Sequence, residues 1–268
     1  MLGRAPTDVA PTVSVGEVEL ALASRLGERE ASGEQADTVV LRLHSRDDAG
    51  WIGVAMPWLI ERGRRVVLRT PAVLPRTLAA AARDRGVTVF LEIASSDANV
   101  QRALHGRGAD PVPSLLLHAQ HLRTLGVEPS AFIGPLLPVL HDRPGHIEPL
   151  LRHVAAADLR DARLSVGRLV PSRLHALEEA LPWAQVAAIA RAFGATSGAT
   201  SEGETLLPAA GARLDRHTEH TLYDTVRRVA EDVGLRIDHC GCPAHCHLGR
   251  PKPHPYRPLL TPDLFEAS

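Results

Sequence analysis

The sequence predicts an α/β protein built on a parallel sheet and wound as a partial (β/α) barrel. Three observations carry this reading. Short β-branched runs alternate with helical stretches over residues 38–193, the pattern of βαβ units. Helical stretches stop at glycines, Gly86 and Gly126 among them, where the chain can turn back toward a strand. Five strands stand out, about twenty-five to forty residues apart, which suits right-handed crossovers but is too few for a closed eight-stranded barrel.

Taken in order, residues 1–13 are rich in Pro, Thr and Ala and read as a loose lead-in. A helix is predicted over 14–26: Ser14 can cap it, Glu17 follows three residues on, and Val15, Val18, Leu22 and Leu26 share a face. After a polar turn comes a β-branched strand over 38–43. A helix over 51–61 leads to a strand at 65–69, and an Ala-rich helix over 74–85 leads to a strand at 87–93. Helices over 97–104 and 112–125 precede the strand at 130–134, whose exit is stiffened by Pro135 and Pro138. A helix over 147–156 and a strand over 162–169 follow, then helical periodicity over 174–193 interrupted at Pro182. Residues 195–211 are small, polar and glycine-bearing, and read as a flexible linker. Beyond it lies an amphipathic helix over 220–233, a short extended piece at 235–237 and a Pro-rich tail. The expected organisation is a lead-in and helix (1–37), the barrel (38–194), the linker (195–211), and a C-terminal helix, metal site and tail (212–268).

Hydrophobic residues make up 44% and charged residues 23%, the balance of a globular domain in water. Aromatics are only 3%, so the core must come from Ala, Leu and Val. A formal net charge of −1 gives no general attraction to nucleic acid, and no apolar run is long enough for a membrane helix. No signal-peptide pattern or disulfide framework is evident, so the expected location is the cytoplasm. The expected partner is a small molecule or another protein of unassigned identity.

All three cysteines fall in the stretch from His239 to His247, with three of the fourteen histidines. Cys240, Cys242 and Cys246 are spaced so that a Gly-Pro turn can point three sulfurs inward, which suits zinc or an iron–sulfur cluster. The fourth position is open to His239, His245 or His247, or left free. The plainer readings are a Cys240–Cys246 disulfide or reduced surface thiols; three cysteines leave one unpaired in any disulfide scheme. Elsewhere, Glu92 and Ser95 stand at the end of one predicted strand and Thr70 at the end of the one before it, where barrels build sites. The plain reading of each is a solvated strand end. Asp47 and Asp48 read more simply as helix-starting polar residues than as ligands.

The segments RRVVLRTPAVL (64–74), GVTVFLEIASSDANVQRAL (86–104) and LLLHAQHLRTLGVEPSAFIGPLLPVLHD (115–142) follow one another in an order that resembles the radical S-adenosylmethionine enzymes, most closely the spore photoproduct lyase-like branch. The resemblance covers about residues 38–193 and implies a six-stranded partial (β/α) barrel. It also implies cofactor contacts at Thr70, Glu92 and Ser95, the strand-end positions that would meet a ribose or carboxylate. The family's Cys-x3-Cys-x2-Cys loop is absent, because no cysteine precedes Cys240. In place of its Gly-Gly-Glu segment stands HSRDDAG (44–50). The expectation is therefore a degenerate radical S-adenosylmethionine-like protein, a lyase or oxidoreductase if it retains activity. It would hold an iron–sulfur cluster through Cys240, Cys242 and Cys246, with His245 or His247 as the further ligand, and S-adenosylmethionine as a candidate cofactor. The alternative is a non-catalytic zinc-binding α/β module.

Overall fold

The computed structural model describes residues 15–31, 38–200, 203–207 and 212–240. In chain order the elements are α1 (Val15–Ala31), β1 (Thr38–Arg42), α2 (Ala49–Glu61), β2 (Arg65–Thr70), α3 (Arg76–Asp84), β3 (Thr88–Ile93), α4 (Ala98–His105) and α5 (Val112–Thr124). There follow β4 (Pro129–Leu136), α6 (Pro144–Ala156), β5 (Asp161–Val166), α7 (Pro171–Ala180) and α8 (Trp183–Ala192). The last are β6 (Thr196–Thr200), β7 (Gly203–Leu207), α9 (Arg216–Asp232) and β8 (Arg236–Cys240). Among these helices none is long and apolar enough to cross a membrane.

Six strands form one sheet in the order β1-β2-β3-β4-β5-β8, and every pairing in it is parallel. Parallel order carries a chemical consequence: all six C-terminal ends meet along one rim, where barrel proteins assemble their sites. The sheet has two unlike faces because side chains alternate along a strand. Val39, Leu41, Val66, Leu68, Val89, Leu91, Ala131, Ile133, Ala162 and Leu164 point outward into the large apolar core shared with the helices. Val40, Val67 and Phe90, with Phe132 packed against them, form a separate small cluster on the inner face.

The helical half of the core follows the predicted stripes. Ile52, Ala55, Met56 and Leu59 of α2 are fully buried, as are Leu115, Ala119 and Leu122 of α5. Each large aliphatic side chain removed from water in this way contributes roughly 1.5–3 kcal/mol against the entropy of ordering. Pro182 separates α7 from α8 and occupies the N-cap of the second, as expected of a residue that cannot continue the first.

Two stretches differ from the sequence expectation. Within 195–211, β6 and β7 pair antiparallel, Thr196 opposite Leu207 and Thr200 opposite Gly203. A local ladder satisfies its own backbone and needs no apolar periodicity, so composition alone reads it as coil. The extended piece at 235–237 is the start of β8, which pairs with β5 through Asp161–Arg236, Ala162–Ile237 and Leu164–Cys240. The sixth strand of the sheet therefore comes from beyond residue 212, and α9 packs on α6 and β5 to bring it there.

Candidate functional site: a buried charge cluster on the inner face

At the C-terminal half of the inner face the apolar cluster gives way to charge. Arg42 is the last residue of β1 and lies in register with Arg69 of β2. Glu92 of β3 pairs with Phe132 of β4, and Phe132 in turn with Arg163 of β5. The two-residue period puts all of these beside Val40, Val67 and Phe90 rather than in the main core.

Glu92 is the centre. Its side chain is completely buried. Arg42 donates from Nε to Oε2 at 2.8 Å, with its Nη2 also 2.7 Å from Oε2. Arg69 Nη2 lies 2.5 Å from Oε1. The His105 ring, at the C-terminal end of α4, places Nδ1 3.4 Å from Oε2 and 3.3 Å from Arg42 Nη2. Burial opposes ionisation of Glu92 most strongly, yet Arg69 and Arg42, with His105, outweigh it and hold the carboxyl well below its usual range. Arg69 stacks with its guanidinium carbon 3.5 Å from the Phe132 centroid, and Arg163 lies 4.7 Å from that of Phe90. The two rings meet edge to face at 6.4 Å.

Helices α4 and α7 pack on each other beside this cluster. Asp97 caps α4, its carboxylate accepting from the Asn99 and Val100 amides. Gln101, fully buried, clamps the exit of β3: it donates to the Glu92 carbonyl at 3.0 Å and accepts from the Ala94 amide at 2.9 Å. From the first turn of α7, Arg173 is near enough that burial chiefly, then Arg42, lower its pKa while Glu92 raises it.

The sequence-predicted residues fall in different places. Glu92 stands on the inner face, but its oxygens are engaged by Arg42, Arg69 and His105. Thr70 is buried on the opposite, core-facing side, and its hydroxyl donates to the Ala72 carbonyl and accepts from the Ala72 amide. Ser95 lies in the loop after β3, its hydroxyl accepting from Asp97 N and its amide donating to Gln101. Thr70 and Glu92 thus lie on opposite faces of the sheet. Asp48 takes the capping role, accepting from the His44 and Ser45 amides, while Ser45 accepts from Asp47.

Cys240 ends β8, so its backbone stands on the same rim as the other strand ends. Cys242, Cys246, His245 and His247 lie outside the described residues. Among the described residues no group of three His, Cys, Asp or Glu side chains is placed to hold a metal.

Arg42, Arg69, His105 and Arg173 carry no motif that marks them in the sequence. A signal existed for the first two: each follows a β-branched strand at a position of the same two-residue phase, ending an apolar run with a charge. Nothing local connects them to His105 or Arg173.

Three histidines are buried: His105 at the end of α4, His118 within α5 and His141 in the loop after β4. His141 accepts from the Leu137 amide at Nδ1 and reaches the Ala94 carbonyl with Nε2, tying the exits of β4 and β3 together. His118 accepts from the Leu74 amide at 3.1 Å. Burial is the main cause lowering the pKa of His105, His118 and His141, that of His118 to about 4. Lowered folded values make the neutral ring the stable form, so the unfolded chain gains protons first as pH falls below the ordinary histidine value. Stability should be full above about pH 6.5 and decline toward pH 4, with His118 alone accounting for roughly 3 kcal/mol at the acid end. Urea midpoints measured between pH 7 and 4.5 should fall steadily. His118→Gln, which keeps an acceptor for Leu74, should flatten that slope; a wild-type midpoint constant across the window would contradict the assignment.

No family model matches the chain, and no curated protein matches it. Among solved structures the fold is similar to that of a spore photoproduct lyase complexed with dinucleoside spore photoproduct, at 14% identity and a TM-score of 0.50 over 84% of this chain and 66% of that one. A variant of spore photoproduct lyase aligns over 85% of this chain and 67% of its own, at a TM-score of 0.51. The chain thus spans about two thirds of the length of these enzymes. At this identity the likeness is one of fold.

Proposed function

We propose that this chain is a degenerate radical S-adenosylmethionine-like protein that carries its metal-binding thiols after the last strand of the barrel instead of after the first. One observation supports this above the others. The parallel pairing of β8 with β5 sets Cys240 opposite Leu164, at the C-terminal rim shared by all six strands. A cysteine group at the far end of the sequence thereby starts from the edge of the sheet where such barrels bind ligands.

The donor set suits a metal. Cys240, Cys242 and Cys246 would supply thiolates, with His245 or His247 as the fourth ligand. With the histidine as fourth ligand the donor set would suit a structural zinc; the three thiolates alone would suit an iron–sulfur cluster. The described barrel residues provide no S-adenosylmethionine contact set of the expected kind, since Thr70 is turned into the core and Glu92 is taken up by arginines.

Protein purified without oxygen decides between the metals. Brown protein containing iron and sulfide supports the cluster. Colourless protein with one equivalent of zinc supports the second reading, a zinc-stapled binding module. Protein with neither metal overturns the proposal. Cys242→Ser should lose stoichiometric metal while its far-ultraviolet circular dichroism and thermal midpoint stay close to those of the parent, because the sheet from β1 to β5 is complete without it.

A further inference from the structure

The chain leaves β4 through a turn that holds its backbone under strain. Val139 has φ +70°, and among the described residues it is the one β-branched side chain in the left-handed region. Branching at Cβ makes that conformation costly, and asparagine or glycine is the usual occupant where a turn needs it. Such a conformation persists only where the surrounding structure imposes it.

His141 is what imposes it. Its amide donates to the Leu137 carbonyl at 3.1 Å, which closes the turn around Val139. Its ring folds back on the same residue, with Nδ1 accepting from the Leu137 amide at 2.8 Å. Nε2 lies 2.9 Å from the Ala94 carbonyl in the loop after β3, so this nitrogen carries the proton of the neutral ring. One buried imidazole thus joins the two ends of the turn and bolts them to the exit of the neighbouring strand. The bolt is specific to the neutral ring. A second proton would sit on Nδ1, removing the acceptor that the Leu137 amide uses and placing a charge where the side chain is shut off from water. The Leu137 carbonyl, 3.1 Å from Nδ1, already accepts from the His141 amide. The charged or titratable groups that bear on the ring are Asp142 beside it and His146 in the first turn of α6, both exposed; the exit of β3 offers a carbonyl. Burial outweighs the two carbonyls and Asp142, so the ring's pKa is lowered.

We propose that residues 137–143 form a proton-operated latch on the C-terminal rim of the sheet: neutral His141 holds the loop closed across the exits of β3 and β4, and protonation releases it, with Val139 relaxing as the loop opens. The strained backbone supplies the drive and the ring supplies the catch. Strands β3 and β4 stand at the middle of the six-stranded order, so acidity would control access to the centre of the rim. The latch involves no cysteine and stands apart from the metal reading.

Site-resolved amide hydrogen exchange on the full-length chain between pH 7.5 and 5.0, corrected for intrinsic exchange rates, tests it. The opening equilibrium at the Leu137 and His141 amides should rise about ten-fold or more across this window, because the open loop binds a proton at the ordinary histidine value and the closed loop resists it. The Leu68 and Leu91 amides, in the core strands, should stay far better protected throughout. His141→Gln should abolish the pH dependence at Leu137, whereas His146→Gln should keep it. Val139→Gly should lower the opening about three-fold or more at each pH without changing the slope, since glycine adopts positive φ freely. Loop amides that exchange only in step with Leu68 and Leu91, or an opening that does not depend on pH, would overturn the proposal. So would a dependence that survives His141→Gln or vanishes in His146→Gln, or an opening unchanged or increased in Val139→Gly.

Discussion

Glu92→Gln is expected to destabilise the folded chain by about 3–5 kcal/mol in urea denaturation, the range for removing one partner of a buried ion pair. The substitution keeps the size and shape of the side chain, deletes its charge and turns one acceptor oxygen into an NH2 donor. What remains is Arg42 and Arg69, held side by side by the strand register, with His105 packed against them and no anion between. Because both arginines keep about a fifth of their surface in solvent, the lower end of the range is the better expectation. A loss below about 1 kcal/mol would mean that the network is ornamental to folding. The double variant Glu92→Met, Arg69→Met should recover part of what Glu92→Met alone loses, since replacing both partners leaves fewer stranded charges. The lowered pKa of Glu92 adds a pH signature. Its contribution is fully present above the ordinary glutamate value and is lost as pH falls from there toward the folded value.

Gly134→Ala should be the second severe change. Gly134 has φ +141° in β4, and a Cβ there would stand 2.4 Å from the Ser165 carbonyl oxygen of β5 and 3.1 Å from the Leu136 amide. The obstacle is backbone, so no side chain can move aside; β4 and β5 would have to part. The β4–β5 register already shifts between Ile133 and Leu136, the stretch that contains the glycine. A loss of about 3 kcal/mol or more follows from overpacking added to a backbone conformation that L residues rarely adopt. Gly63→Ala is the control: its φ is +72° but a Cβ would meet nothing within 4 Å, so about 1 kcal/mol is expected. Equal losses at the two positions in thermal or urea unfolding would refute the steric account.

Much of the fold is legible in the sequence. Strands β1 to β5 and the helices between them were all anticipated from periodicity, because an outward strand face and a helix stripe that share one core impose regular apolar spacing on the chain. Their mutual parallel pairing follows from the crossover rule. The resemblance to the spore photoproduct lyase-like branch likewise agrees with the likeness of fold. Less legible was β8: Arg236, Asp238 and His239 give it no apolar run, and its place at the edge beside β5 rests on a helix packing that joins residues far apart in sequence.

Glu92 illustrates the remaining division. Sequence alone marked it as a charge at a strand end, on the rim where a parallel sheet gathers its chemistry. Its neighbours were beyond that reading, because Arg42, Arg69, His105 and Arg173 come from four separate elements and share no local spacing. Strand register set the two arginines side by side, the docking of α4 buried His105 against them, and the start of α7 added Arg173. Sequence determined the alternation and hence the sheet, since burial demands a period that each segment must satisfy for itself. Tertiary structure decided which charges meet, since an ion pair asks only that two side chains arrive at one point and places no periodic demand on the chain between them.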